Sequence, residues 1–450
     1  MLKINKKYDL SPAQLIVSFY IIAVIVSTCL LSLPITTQPG VQWSFVDVLF
    51  TAVSAVSVTG LTVVSTADTF STPGTFILLF ILQFGGIGIM TLGTFFWLII
   101  GKKIGLRERR LIRTDQNQSN LSGLVSLMKQ ILVIILLIEL VGTIILGTYF
   151  YYLDYFPTWQ ESYLQGLFAS VSATTNAGFD ITGSSLIPFA KDYFVQIINI
   201  ILLTLGAIGF PVLIELKDFI KNKRSYGTQF TLYTKLTTIT FFSLMVFGTL
   251  VILLFEANHF FEGKSWHESF FYAFFQSATT RNGGLATMDV SLFSTSTLLA
   301  LCFLMFIGAS PSSVGGGIRT TTLAVILLLV FSFAKGQKSI KVFKREIHEE
   351  DIRKSVVVSF LAVMICFIAL VILNYVENFS LMEIMFEVSS AFGTTGLSMG
   401  ITPELSTVGK LVIISLMFIG RIGILSFIFV FHQEKQELNY HYPKERLIVG

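Results

Sequence analysis

Charge is what this sequence has least of. Asp, Glu, Lys and Arg make up only 13% of its 450 residues, about half the ~25% of a soluble globular chain. That shortfall excludes an ordinary soluble enzyme and a disordered scaffold. The formal net charge of +4 is too small for a nucleic-acid footprint, so no nucleic-acid partner is expected. Cysteine is scarce too. Cys29, Cys302 and Cys366 each sit in an apolar run, with no C-x-x-C pair. This excludes a disulfide-stapled fold and reads as small buried hydrophobes. The five histidines lie outside the apolar runs or at their ends. No base is therefore at hand for hydrolysis at Ser310, Ser312 or Ser313. A Walker-type G-x-x-x-x-G-K-[ST] is missing as well, so ATP hydrolysis by this chain is not expected.

What fills the space is apolar: 53% hydrophobic residues and a mean hydropathy of +0.75. A bilayer core of roughly 30 Å takes about 20 apolar helical residues. Ala13–Leu33, Thr75–Ile100, Tyr193–Ile214, Leu236–Phe255 and Ser355–Val376 carry no charge and meet that length. Ile131–Tyr152 meets it with one carboxylate, Glu139, and Lys410–Phe431 with one deep cation, Arg421. Val290–Ala334 is 45 residues long with a single charge, Arg319. One helix of that length overshoots any membrane, so a break is predicted at Ser310-Pro311-Ser312-Ser313-Val314-Gly315-Gly316-Gly317. The count is eight spans. The run after Lys3, Lys6 and Lys7 is too long for a signal-peptide core and is read as the first of them.

Cations orient the chain. They crowd the N-terminus, the 101–113 linker (Lys102, Lys103, Arg107, Arg109, Arg110, Arg113), the 217–224 linker (Lys217, Lys221, Lys223, Arg224), the 335–354 linker and the tail. The other side offers Lys191, Lys264 and Lys410. Both termini are therefore expected in the cytoplasm. The basic linkers serve as orientation signals, or as a docking surface for a cytosolic partner.

Each loop on the far side contains a short amphipathic stretch rich in Ser, Thr, Ala and Phe. The four end in Ser57-Val58-Thr59-Gly60, Thr175-Asn176-Ala177-Gly178, Arg281-Asn282-Gly283-Gly284 and Gly393-Thr394-Thr395-Gly396. Their last glycines are 118, 106 and 112 residues apart, an internal repeat copied four times. In the third copy, alignment on the Ser-Ala pair favours Gly283. Alignment on the large apolar residue that follows favours Gly284, which is adopted. Too short to span, each stretch suits a half-helix that enters the membrane and returns as extended backbone. Such backbone is tolerated only inside protein or along a watery cavity. Four of them around one axis make a ring of carbonyls able to replace the hydration shell of a monovalent cation, with glycines permitting φ > 0 and helix C-termini adding negative potential. No acidic side chain lies in the four filter ends named above, against a divalent-selective ring of carboxylates.

At these residues the chain resembles the Ktr/Trk/HKT superfamily of cation transporters, most of all the bacterial Ktr-type potassium-translocating subunit. The likeness rests on Ser57–Leu61, Asn176–Phe179, Phe392–Leu397, Gly308–Gly317 and Met417–Gly423, and covers nearly the whole chain. It implies an all-α membrane protein of four span–pore-loop–span repeats (1–115, 116–226, 227–352 and 353–450), eight spans and four re-entrant pore helices around a single pore. The four stretches above become a potassium filter. Glycine in every copy favours potassium over sodium, while Asn282-Gly283 departs from the commoner Thr-Ala. The segment Gly308, Ala309, Ser310, Pro311, Ser312, Ser313, Val314, Gly315, Gly316 and Gly317 becomes an intramembrane gate, with Arg421 below the filter. The resemblance further implies a homodimer in the cytoplasmic membrane, a cytosolic ring of nucleotide-binding regulators, and no cofactor on this chain beyond the transported potassium. The 101–115 and 335–354 linkers, and the tail from Tyr442, are the candidate contacts for those partners. A sodium-preferring or sodium/potassium-coupled secondary transporter is the alternative. Glu139 is read as a structural pairing, with Arg421 as one candidate partner. Gly85-Gly86-Ile87-Gly88 is read as a helix-packing cluster.

Overall fold

The computed structural model describes residues 11–88, 91–93, 104–105, 108–109, 111–112, 123–221, 230–429 and 445. Lys3, Lys6, Lys7, most of the 101–115 linker, Lys223, Arg224, Lys435, Tyr442, Pro443, Lys444 and Arg446 lie outside the described residues, as do the far ends of the second and last expected spans.

The helices fall into four similar groups. The first holds α1 (Pro12–Leu31), the half-helix α2 (Phe45–Ser57), one turn of α3 (Thr66–Thr69) and α4 (Thr72–Ile87). The second holds α5 (Leu124–Tyr152), the half-helix α6 (Trp159–Thr174), α7 (Tyr193–Ala207) and α8 (Phe210–Lys221). The third holds α9 (Leu232–Glu256), the half-helix α10 (Trp266–Thr279), α11 (Thr295–Phe306) and α12 (Thr320–Ala334). The last holds α13 (Glu349–Val376), the half-helix α14 (Leu381–Gly393), α15 (Thr407–Ile422) and α16 (Ile424–Phe429). Among the described residues, α1, α5, α9 and α13 are each long and apolar enough to cross a membrane. The 335–354 linker folds a small hairpin, β1 (Lys341–Val342) against β2 (Arg345–Glu346), which the purely helical expectation did not include.

Local chemistry starts and stops the half-helices. Each begins at a Ser or Thr (Ser44, Thr158, Ser265, Ser380) with an acid three residues on (Asp47, Glu161, Glu268, Glu383). In α2 and α14 both capping-box bonds form, satisfying amide donors that the helix leaves open. Each also buries a phenylalanine, Phe50, Phe168, Phe275 or Phe386. Lys410 of α15 pairs with Asp47 of α2 at 2.8 Å, joining the last group to the first.

The second helices depart from expectation in one common way. A break was predicted only in Val290–Ala334, yet all four groups break. α4 ends at Gly88 (φ 92°), α7 and α8 meet at Gly209 (φ 101°) with a 104° bend, and α15 and α16 meet at Gly423 (φ 89°). Three of these breaks share one pattern, Gly85-Gly86-Ile87-Gly88, Gly206-Ala207-Ile208-Gly209 and Gly420-Arg421-Ile422-Gly423. Its last glycine takes the left-handed turn that stops the helix. Its first lets backbone approach the carbonyl end of the half-helix in the same group. A Cβ on Gly85 would lie 2.6 Å from Val56 O, and Gly206 and Gly420 face Thr174 O and Phe392 O as closely. The packing role read for Gly85-Gly86-Ile87-Gly88 therefore has a specific object. Gly85→Ala is expected to lower the unfolding midpoint of the detergent-solubilised protein by several degrees. Gly93→Ala, with no heavy atom of the described residues within 4 Å of its Cβ, should leave it unchanged.

Candidate functional site

The half-helices end alike. The residue after the last turn is left-handed in every copy although it bears a side chain: Val58 (φ 53°), Asn176 (53°), Asn282 (70°) and Thr394 (51°). Two residues on stands a glycine of positive φ: Gly60 (91°), Gly178 (68°), Gly284 (70°) and Gly396 (95°). A side chain in the left-handed region costs about 1–2 kcal/mol, so four such residues at equivalent points mark a backbone held against its own preference.

The four glycines touch one another in chain order. A Cβ on Gly60 would lie 2.5 Å from Ala177 O and 2.9 Å from Gly178 Cα. On Gly178 it would lie 3.0 Å from Gly284 Cα and 3.4 Å from Gly283 O. On Gly284 it would meet Thr395 O at 2.5 Å and Gly396 Cα at 3.4 Å. On Gly396 it would meet Thr59 O, with Gly60 Cα at 3.0 Å. The circle closes, and each glycine faces the carbonyl that precedes the next one.

In the third copy the closing hydrogen bond spans one residue fewer. Thr59, Ala177 and Thr395 each donate N–H five residues back, to Ser54, Ser172 and Ser390 at 2.8 Å. Gly283 donates four residues back, to Thr279 at 2.6 Å. Gly284 stands in the circle with Gly283 before it, although Ser277-Ala278 begins seven residues before Gly284 and the other Ser-Ala pairs begin six before their glycines, which is why the sequence aligns two ways. Ser57, Thr175, Arg281 and Gly393 stand one step behind the left-handed residues. Thr175 Oγ1 donates back to Val171 O at 2.7 Å, and the buried Arg281 guanidinium donates to Leu304 O.

Sequence reasoning missed the hydroxyls behind this circle. Ser54 and Ser390 accept the amides of Gly60 (3.1 Å) and Gly396 (3.0 Å). Ser172 and Thr279 donate instead to the carbonyls of Phe179 and Leu285, both at 2.6 Å. A buried Ser or Thr five or six residues before each ring glycine was the available signal.

The 307–319 connection between α11 and α12 is fastened on three sides. Toward the second group, Ser310 N donates to Ala207 O (3.1 Å) and Phe210 N donates to Ser312 O (2.8 Å). Tyr233 of α9 donates to Pro311 O (2.6 Å). Toward the fourth group, Gly317 N donates to Gly420 O (3.2 Å) and Gly316 N to Thr394 Oγ1 (2.8 Å). Gly308 is packed on Gly316. Ala309, Ser310 and Val314 are buried, and Ser313 Oγ donates back to Ser310 O at 2.6 Å. A cavity of about 760 Å³ is bounded by Gly88, Phe210, Pro311, Arg421 and Gly423, reaches Asp351 and Lys354, and touches none of the four ring glycines.

A family model described as TrkH, cation transport protein, matches residues 6–442. The chain belongs to the TrkH cation transport protein family. It is 63% identical to the Ktr system potassium uptake protein D of Bacillus subtilis, over 98% of both chains. It is 35% identical to the Ktr system potassium uptake protein B of the same organism, over 100% of this chain and 99% of the relative. It is 33% identical to the potassium/sodium uptake protein NtpJ of Enterococcus hirae, over the full length of both. The crystal structure of the potassium transporter TrkH from Vibrio parahaemolyticus has the same fold, with a TM-score of 0.74 at 18% identity, over 95% of this chain and 86% of that one. These relatives are transporters and not enzymes, in keeping with the lack of any catalytic constellation in the sequence.

Within this TrkH-family chain, Arg421 does not pair with Glu139. Its guanidinium donates to two main-chain oxygens, Val314 O of the connection and Gly85 O of α4. Glu139 accepts instead from Gln83 Nε2 of α4 at 2.5 Å, a contact between α4 and α5. Neither residue has the other as its partner.

Proposed function

We propose that this chain is the ion-translocating subunit of a potassium uptake system, built from the four repeats 1–115, 116–226, 227–352 and 353–450 with eight spans and four re-entrant half-helices around one pore. The observation that carries the reading is the closed circle of Gly60, Gly178, Gly284 and Gly396, with neighbouring carbonyls drawn from all four copies. Carbonyls at Val58, Thr59, Asn176, Ala177, Asn282, Gly283, Thr394 and Thr395 act as the filter that replaces water around the ion. The names of the Bacillus relatives support potassium as the cargo.

Transport needs no chemical step. A monovalent cation moving inward gains about 2.3 kcal/mol per 100 mV of membrane potential. The 308–317 segment is the gate. Its three-sided fastening is the closed position, and the cavity beyond it is the route to the cytoplasm. Both termini lie on the cytoplasmic side of the cell membrane. Two copies assemble on a cytosolic nucleotide-binding ring that works the gate, with the 335–354 linker as part of the docking face.

Arg421 latches the gate and sets a positive charge below the filter. Arg421→Ala is expected to raise the maximal uptake rate several-fold with little change in the concentration for half-maximal uptake. Rubidium uptake at graded concentrations measures both, and unaltered kinetics would remove the role. The potassium/sodium relative keeps one second reading in play, a sodium-coupled cycle. Rubidium uptake into potassium-starved cells lacking their own uptake systems tests the main proposal. Uptake should appear with this chain and its regulator, and a strict sodium requirement would favour the coupled alternative.

A further inference from the structure

We propose that Thr394 couples the gate to the filter, so that moving the 310–317 loop alters ion discrimination as well as access; this rests on the filter-and-gate reading above. The hydroxyl of Thr394 is fully buried and accepts two hydrogen bonds, from the loop amide of Gly316 (2.8 Å) and from Asn282 Nδ2 (2.8 Å). Two is all a hydroxyl oxygen can accept. The same Asn282 amide donates to the carbonyls of Gly393 and Thr394, the latter at 3.0 Å. One oxygen therefore joins the loop, the left-handed residue of the fourth copy and the left-handed residue of the third.

Packing makes this joint stiff. A Cβ on Gly316 would lie 2.7 Å from both Thr394 Cγ2 and Oγ1, and one on Gly315 would lie 2.5 Å from Asn282 Cγ. The loop can leave only by breaking the Gly316–Thr394 bond. The Asn282 amide and the two carbonyls it holds then lose their backing. Among the described residues, the left-handed residues of the first two copies are held differently. Val58 offers no hydroxyl. Asn176, in the amide orientation that satisfies both of its ends, donates to Ala173 O (2.7 Å) and Leu203 O (3.2 Å) within its own group. Asn282 and Thr394, in the third and fourth copies, are thus the pair that carries the coupling.

Thr394→Val keeps the shape and removes the acceptor, while Thr394→Ser keeps the acceptor. In cells producing the chain without its regulator, Thr394→Val is expected to raise basal rubidium uptake and lower the rubidium-to-sodium uptake ratio, each by about fivefold, the effect of losing one ordinary hydrogen bond. Thr394→Ser, which keeps the acceptor, should show clearly the smaller change on both counts. Added to a deletion of 310–317, Thr394→Val should raise basal uptake no further. Amounts of folded protein are matched by size-exclusion profile. Wild-type values for Thr394→Val, equal damage from Thr394→Ser, or additivity with the deletion would each overturn the coupling alone. A loop deletion that leaves uptake unchanged would overturn the gate reading, and the coupling with it.

Discussion

Serine in place of Gly60 is expected to cut rubidium uptake at least about tenfold, about 1.4 kcal/mol in the barrier, and to lower discrimination against sodium. Two terms combine. At φ 91° any side chain is strained, by about 1–2 kcal/mol. The new Cβ also falls 2.5 Å from Ala177 O and 2.9 Å from Gly178 Cα. Since Gly178 abuts Gly284, and Gly284 abuts Gly396, the displacement passes around the circle instead of staying in one loop. Gly396→Ser should behave alike, because its Cβ would strike Thr59 O. Gly400 is the control: its φ of 94° is equally strained, yet its Cβ would meet nothing within 4 Å. Gly400→Ala should cost some stability and leave the rubidium-to-sodium ratio alone. Uptake ratios for the three variants, normalised to folded protein, decide the matter. Equal effects from Gly60→Ser and Gly400→Ala would mean that backbone strain, and not closure of the circle, explains the loss.

Deleting Ser310–Gly317 should act in the opposite direction. The segment is held by Ala207, Phe210, Tyr233, Thr394 and Gly420, and its removal takes Pro311, Ser312, Ser313 and Gly317 from the wall of the cavity that Arg421 also lines. Basal uptake without the regulator is expected to rise at least about tenfold, the loss of about 1.4 kcal/mol of barrier. Stimulation by the regulator should largely disappear. Uptake measured with and without the partner tests both halves, and unchanged flux with intact regulation would rule out a gate here.

The residues that converge were largely legible in the sequence, because the Ser/Thr/Gly stretches interrupt apolar runs at nearly even spacing. So was the break at Pro311 and Gly315–Gly317, where three glycines and a proline cannot sustain a helix. The other three breaks were hidden. Gly-x-Ile-Gly holds no proline and, apart from Arg421, no charge, so the apolar runs read straight through Gly88, Gly209 and Gly423, and only the left-handed φ of the last glycine stops the helix. The partners of Arg421 were hidden for a different reason. A cation in an apolar span suggests a carboxylate, whereas here main-chain oxygens exposed by the breaks serve instead. The third register could not be settled by alignment because the difference lies at the end of α10, where only the pairing of Gly283 N with Thr279 O reveals it.

On this proposal four bent segments, one from each quarter of the chain, surround a single alkali-metal ion. Crystals of the protein grown in thallium in place of potassium test it directly, through the anomalous signal of the ion. Strong peaks should lie on the axis enclosed by Gly60, Gly178, Gly284 and Gly396, and should persist when sodium is present in excess over thallium. Thallium bound only elsewhere, with that axis empty in well-ordered crystals, would contradict the account.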